Sequence, residues 1–213
     1  MRKNRTQMTE YVVWHCSATS PSQDIGSAQI DIWHKAKGWD GIGYALVIRR
    51  DGRLECGEDF KKAGAHAKGY NNKSIGVVLV GGVDEDGKSE NNFTALQWAA
   101  AKNVYEFFSL LYPGAVHVGH RDLSTDTDHD GRIQKQEFMK DCPCFSVKQW
   151  IENDLRPVEE MYSDWELSVA VAVPEVEITM DEILEAEIVE ELPPVEEEKP
   201  KRRTHKHRHK KND

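Results

Sequence analysis

The chain has 213 residues and a formal charge of -9, enough length for one domain of roughly 100 to 150 residues with appendages. The acidic excess lies between Glu159 and Glu198, where no Lys or Arg occurs, and the near-neutral part before it shows no basic stripe, so no nucleic-acid partner is expected. No run reaches the roughly 18 to 20 apolar residues that span a bilayer, and MRKNRTQMTEYVVWH lacks a signal-peptide core, so the chain is expected to be made and kept in the cytoplasm.

Residues 1–10 form a polar N-terminal extension, and element signals run from Tyr11 to Leu155. Tyr11 to Cys16 alternates with period two, which places His15 at the end of a strand. Ser27 is expected to cap a helix through Lys37. Ala45–Arg50 and Leu54–Cys56 read as strands around the Asp51-Gly52 turn, a strong hairpin signal. Ser74–Val80 is an apolar run suited to a central strand. Thr94 and Gln97 make a capping box, and Leu96, Ala100, Val104, Phe107, Phe108 and Leu111 form the core stripe of a long helix that Pro113 and Gly114 stop. Val116–Gly119 is a further strand delivering His120, and Ser146 with Gln149 opens a last helix toward Leu155. The expected fold is α/β in the mixed α+β sense: a central mixed sheet packed with helices. Residues 156–213 change to glutamate, valine and proline and then to KPKRRTHKHRHKKND, and read as a disordered tail with a transient helix at Met180–Glu191.

The four cysteines, Cys16, Cys56, Cys142 and Cys144, are too few and too unevenly spaced for a disulfide framework, which leaves reduced thiols or metal ligands. His15 and His120 both end expected strands, and Cys142 follows in a Pro-containing loop. Two neutral nitrogens and a thiolate suit Zn²⁺, and three protein ligands leave a fourth position for water, as in catalytic zinc sites.

The segments HCSATSPSQ from His15, HKAKGWDGIGY ending at Tyr44, IRRDGRLECG, GAHAKGYNNKSIGVVLVGG from Gly64, NFTALQ and KDCPCF from Lys140 occur in this order. Together they resemble the zinc N-acetylmuramoyl-L-alanine amidases of phage lysozyme type, relatives of the peptidoglycan recognition proteins, over about Tyr11 to Asn153. The resemblance implies an amidase/peptidoglycan-recognition-protein-like domain over residues 11–155. It implies zinc on His15, His120 and Cys142, Tyr44 and Lys140 as catalytic residues beside it, and His66 as a substrate contact in the cleft. The implied reaction cuts the amide between N-acetylmuramic acid and L-alanine in peptidoglycan, by a monomer acting on the wall after release. Zinc lowers the pKa of a bound water to about 7 and polarises the carbonyl; Lys140 would face the developing oxyanion, while Tyr44 would orient the water or relay its proton.

There are two departures. The histidine that commonly follows the tyrosine is Ala45 here, and most of STDTDHDGRIQKQEFM is inserted between His120 and the Lys140–Cys142 pair. The insertion matches a calcium loop: Asp126, Asp128 and Asp130, the Arg132 carbonyl, a water near Gln134 and a bidentate Glu137 would supply oxygens, with Gly131 at the sharp turn. The alternative is an acidic, solvated loop. Flanking helices of an EF-hand are not expected, since a strand precedes it.

Cys16 and Cys56 read as buried thiols, and Cys144 belongs to no metal pattern. Trp33, Trp39 and Trp98 read as core, with Trp39 also placed to flank substrate. His205, His207 and His209 belong to the basic end, which either is simply solvated or binds metal or polyanions incidentally. The competing function is a non-catalytic peptidoglycan receptor, against which Cys142, Tyr44 and Lys140 stand as groups needed only for chemistry. Some phage relatives also inhibit a phage RNA polymerase, but Met1 to Glu10 offers no motif that would transfer this.

Overall fold

The computed structural model describes residues 2–157; the tail reading and the Met180–Glu191 helix lie outside them. The elements are β1 (Tyr11–Cys16), α1 (Ser27–Ala36), β2 (Leu46–Ile48), β3 (Leu54–Cys56), β4 (Ser74–Leu79), α2 (Ala95–Leu111), β5 (Val116–Gly119) and α3 (Val147–Glu152), with short 3-10 turns at His120–Leu123 and Lys135–Glu137. The sheet runs β3-β2-β4-β1-β5. Four strands are parallel to their neighbours and β3 alone is antiparallel, on the edge beyond β2. Among the described residues, no helix is long and apolar enough to cross a membrane.

Period-two alternation sorts β1 between two layers. Val12, Trp14 and Cys16 join the larger apolar cluster under α2 and α3, with Val77, Phe93, Trp98, Phe108 and Trp150. His15 points to the opposite face, where Ile30, Ile42, Val47, Val78 and Val80 form a smaller cluster. The central strands β1 and β4 are covered on both sides, so their residues are buried almost throughout, as parallel strands require.

Several elements differ from the sequence expectation for physical reasons. The first turn of α1 is not capped by Ser27: Gly26 is the N-cap, and the Glu55 carboxylate accepts from the Ser27 N–H at 2.6 Å. The face of α2 is turned, leaving Leu96 and Leu111 exposed while Gln97 is fully buried. The Gln97 amide explains the rotation, since its Nε2 donates to the carbonyls of Ile48 and Val80 at 3.2 and 2.9 Å while its Oε1 accepts from the Thr94 N–H. Buried there, the amide makes these bonds in place of those it loses with water, alongside the Val80 N–H that the Ile48 carbonyl also accepts and the Arg50 guanidinium that the Val80 carbonyl also accepts. Helix α3 is short because Asp154 and Leu155 adopt positive φ, 53° and 61°. Trp33 and Trp39 are partly exposed rather than core, and Cys56 is exposed because β3 is a three-residue edge strand.

The N-terminal extension is pinned to the domain. Arg5 N–H donates to the Lys61 carbonyl at 2.8 Å, and the Arg2 guanidinium bonds the Gly41 and Ile42 carbonyls and the Glu58 carboxylate. It thereby braces the loop that leads into Tyr44.

Candidate active site

Adjacent parallel strands bring the site together. Trp14 pairs with Gly119 across β1 and β5, so the next residues, His15 and His120, emerge side by side at the carboxyl ends of the two strands. Their rings lie 4.7 Å apart between centroids. Cys142 arrives from the loop before α3, which is tied down where Arg121 N–H donates to the Cys142 carbonyl at 2.8 Å. Gly119 allows this approach: a Cβ there would lie 2.8 Å from Pro143 Cδ. The ligand-type atoms of His15, His120 and Cys142 all lie within 4.8 Å of one another, so this trio could hold a metal. His15 Nδ1 is 3.8 Å from Cys142 Sγ, close to the roughly 3.5 Å separating N and S ligands of a tetrahedral zinc. The Cys142 sulfur also accepts from the Cys16 main-chain N–H at 3.3 Å.

Both histidines are held neutral, the form a metal ligand needs. Burial, and then His66, His120 and Lys140, push His15 well below the ordinary imidazole value. Burial and then Lys140 lower His120. The Lys140 charge is therefore within electrostatic reach of the trio; its side chain is exposed and forms no ion pair among the described residues. The Tyr44 ring sits 5.0 Å from that of His15. Burial first, then the thiols of Cys142 and Cys16, raise Tyr44 above the ordinary phenol range, so it stays protonated and offers an O–H donor. The loop before Tyr44 is fixed by His34, whose Nδ1 accepts from the Gly43 N–H at 2.9 Å and whose ring packs on Trp39.

His66 is buried, and its Nδ1 lies 3.0 Å from His15 Nε2. Ala45 is likewise buried, and lines a small void with His66, Ser74 and Gly76. His34, Ser74 and Cys144 went unremarked as site residues. Among them only His34 carried a signal, as the head of the HKAKGWDGIGY segment. Cys144 packs its sulfur 3.5 Å from that of Cys16, directly beneath the site; all four cysteines are free thiols.

The insertion is held by hydrogen bonds among its own residues. Asp126 accepts from the Gly131 N–H, Asp128 from Asp130 and Asp130 from Arg132, at 2.9, 3.2 and 2.8 Å, while Gly131 takes φ +82°. Glu137 is buried and accepts from the N–H groups of Thr127 and Gln134; Gln134 first and then Thr127 pull its carboxyl down to about 2. Ligand oxygens of Asp126, Asp128 and Asp130 lie within 4.8 Å of one another. No α-helix flanks the loop directly: a 3-10 turn at His120–Leu123 precedes it, and a second at Lys135–Glu137 forms its last residues.

A mixed sheet with two histidines and a thiol gathered at its carboxyl edge, and a protonated tyrosine beside them, defines a small α/β protein whose site could hold a metal, the arrangement of a hydrolase. The sequence profile of the N-acetylmuramoyl-L-alanine amidase family matches residues 4–143, and the chain belongs to that family. The endolysin of Enterobacteria phage T3 is 41% identical over 146 residues, covering 68% of this chain and 87% of that protein. The solved amidase LysC from Clostridium intestinale URNW shares the fold, with a TM-score of 0.54 at 22% identity over 73% of this chain and 93% of its own. A variant of Drosophila PGRP-LB, solved in complex with tracheal cytotoxin, superposes with a TM-score of 0.52 at 25% identity, covering 67% of this chain and 79% of that one.

Proposed function

We propose that this peptidoglycan amidase is zinc-dependent and hydrolyses the bond between N-acetylmuramic acid and L-alanine, with His15, His120 and Cys142 as the metal ligands. The observation that carries the reading is the convergence of two neutral imidazole nitrogens and one thiol sulfur within 4.8 Å, which suits one zinc and leaves one coordination position open. Zinc held there would supply Lewis acidity and a water acidified to a pKa of about 7. The chain's own residues do the rest. Lys140 presents its ammonium to the oxyanion of the tetrahedral stage, and Tyr44, held protonated, orients the attacking water and relays a proton toward the leaving amine. A non-catalytic receptor has no use for an open three-ligand site flanked by these two groups. Endolysin relatives support action on the wall after release.

A second metal reading concerns the insertion. Calcium would be held by Asp126, Asp128, Asp130, the Arg132 carbonyl and Glu137, a reading supported by the clustered aspartates and by Asp126 Oδ1, which is buried without a hydrogen-bond partner.

The test of the zinc site is metal analysis with Cys142→Ser. The native chain is expected to hold about one zinc and the variant to lose both metal and hydrolysis. A zinc-free variant with full activity refutes the assignment.

A further inference from the structure

We propose that Ser74 and His66 are positioning residues forming a buried hydrogen-bond relay that fixes the tautomer of His15, so that its Nδ1 lone pair faces the metal position. The inference rests on the zinc reading above for its functional meaning, but the relay itself is fixed by chemistry at its far end.

The Tyr70 main-chain carbonyl can only accept, and Ser74 Oγ lies 2.8 Å from it, so the single hydroxyl proton of Ser74 is spent on that bond. Toward His66, the Ser74 oxygen then has only lone pairs. His66 Nε2, 3.4 Å away, must therefore be the nitrogen that carries hydrogen. A neutral imidazole has one N–H, which leaves His66 Nδ1 bare to accept from His15 Nε2 at 3.0 Å. His15 consequently has its hydrogen on Nε2 and its lone pair on Nδ1, the atom that faces Cys142 Sγ. The opposite tautomer would aim an N–H at a cation. Metal-bound histidines are commonly oriented through the other ring nitrogen in this way.

The geometry leaves the His66 ring little freedom to break the relay. It sits between two glycines: a Cβ at Gly64 would lie 2.5 Å from its Cδ2, and one at Gly76 2.7 Å from its Cγ. Asn71 Oδ1 accepts from the main-chain N–H groups of His66 and Ala67, both at 2.9 Å, and so anchors the backbone that carries the ring. Both rings are buried, an environment in which the neutral imidazole with its single hydrogen is the favoured form.

The experiment combines two readouts on the full chain. Imidazole ¹⁵N shifts in the metal-free protein assign the tautomers, and competition with a chromophoric chelator gives zinc affinity. The native chain is expected to show His15 as the Nε2–H tautomer. Ser74→Ala, which removes one buried oxygen, is expected to mix the tautomers and weaken zinc binding by about 10- to 100-fold. Asn at position 66 offers an oxygen near the place of Nδ1 and has no tautomers, so in a His66→Asn background Ser74→Ala is expected to have little further effect; a merely structural role for Ser74 would weaken both backgrounds alike. An Nδ1–H tautomer at His15 in the native chain, or unchanged tautomer and affinity in Ser74→Ala, overturns the relay. If the native chain binds no zinc, the metal reading fails, while the ¹⁵N assignment still decides the relay by itself.

Discussion

Gly76→Ala is the sharpest perturbation of the slot behind the metal ligands. The added Cβ would lie 2.7, 2.8 and 2.9 Å from Cγ, Cδ2 and Nδ1 of His66. Ordinary carbon contacts sit at about 3.5 to 4.0 Å, so the ring would have to retreat by roughly 0.7 to 1 Å. The glycine at 64 is already against the ring, and the backbone of His66 is anchored by Asn71. Such a retreat stretches the 3.0 Å bond to His15 beyond the range in which a hydrogen bond is worth much. Overpacking costs about 1 to 3 kcal/mol and the lost bond about 1 more, which corresponds to a Tm lower by roughly 4 to 16 °C for a domain of this size. Calorimetry of the metal-free protein reads the packing cost, and chelator competition reads the loss of zinc affinity, expected at about tenfold or more. A Gly76→Ala protein that melts within about 1 °C of the native chain and binds zinc equally tightly would refute the tight slot and its coupling to His15.

Lys140→Ala and Tyr44→Phe are each expected to keep zinc but lose about 10²- to 10³-fold in turnover, measured on muropeptides; unchanged rates in both would move the chemistry to other residues. His117, which accepts from the Trp14 indole at 3.2 Å, is held neutral by burial, which lowers it to about 4 from an ordinary 6.5. The unfolded chain therefore binds this proton first as pH falls. The stabilisation is complete above pH 6.5 and is lost progressively toward pH 4, by about 1 kcal/mol between pH 6.5 and 5.5. His117→Gln, which keeps an acceptor for the Trp14 indole, should flatten the melting-versus-pH profile by that amount, and coincident profiles would contradict it. Calcium at a hundredfold excess over its Kd should stabilise the native chain by about 2.7 kcal/mol and Glu137→Gln much less; no shift in the native melting curve would leave the 126–137 loop a plain acidic insertion.

Much of the site was legible because strand ends are legible: alternation from Tyr11 put His15 at the tip of β1, and the short run from Val116 did the same for His120. The misreadings share one cause, contacts between residues far apart in sequence. The cap of α1 comes from Glu55 in β3, so the local serine rule pointed to Ser27 instead. The buried face of α2 is set by what the Gln97 amide meets in the carbonyls of Ile48 and Val80, which periodicity within the helix does not register. Cys56 alternates like a core residue, but an edge strand outside β2 leaves it exposed.

The most direct measurement is digestion of purified sacculi by the zinc-loaded and the zinc-stripped chain, with mass analysis of the soluble products. Zinc-dependent release of intact stem peptides bearing a free L-alanine amine, with the glycan strands left uncut, is the predicted result. Equal release by the stripped protein, or products cut within the peptide or the glycan, would contradict the account.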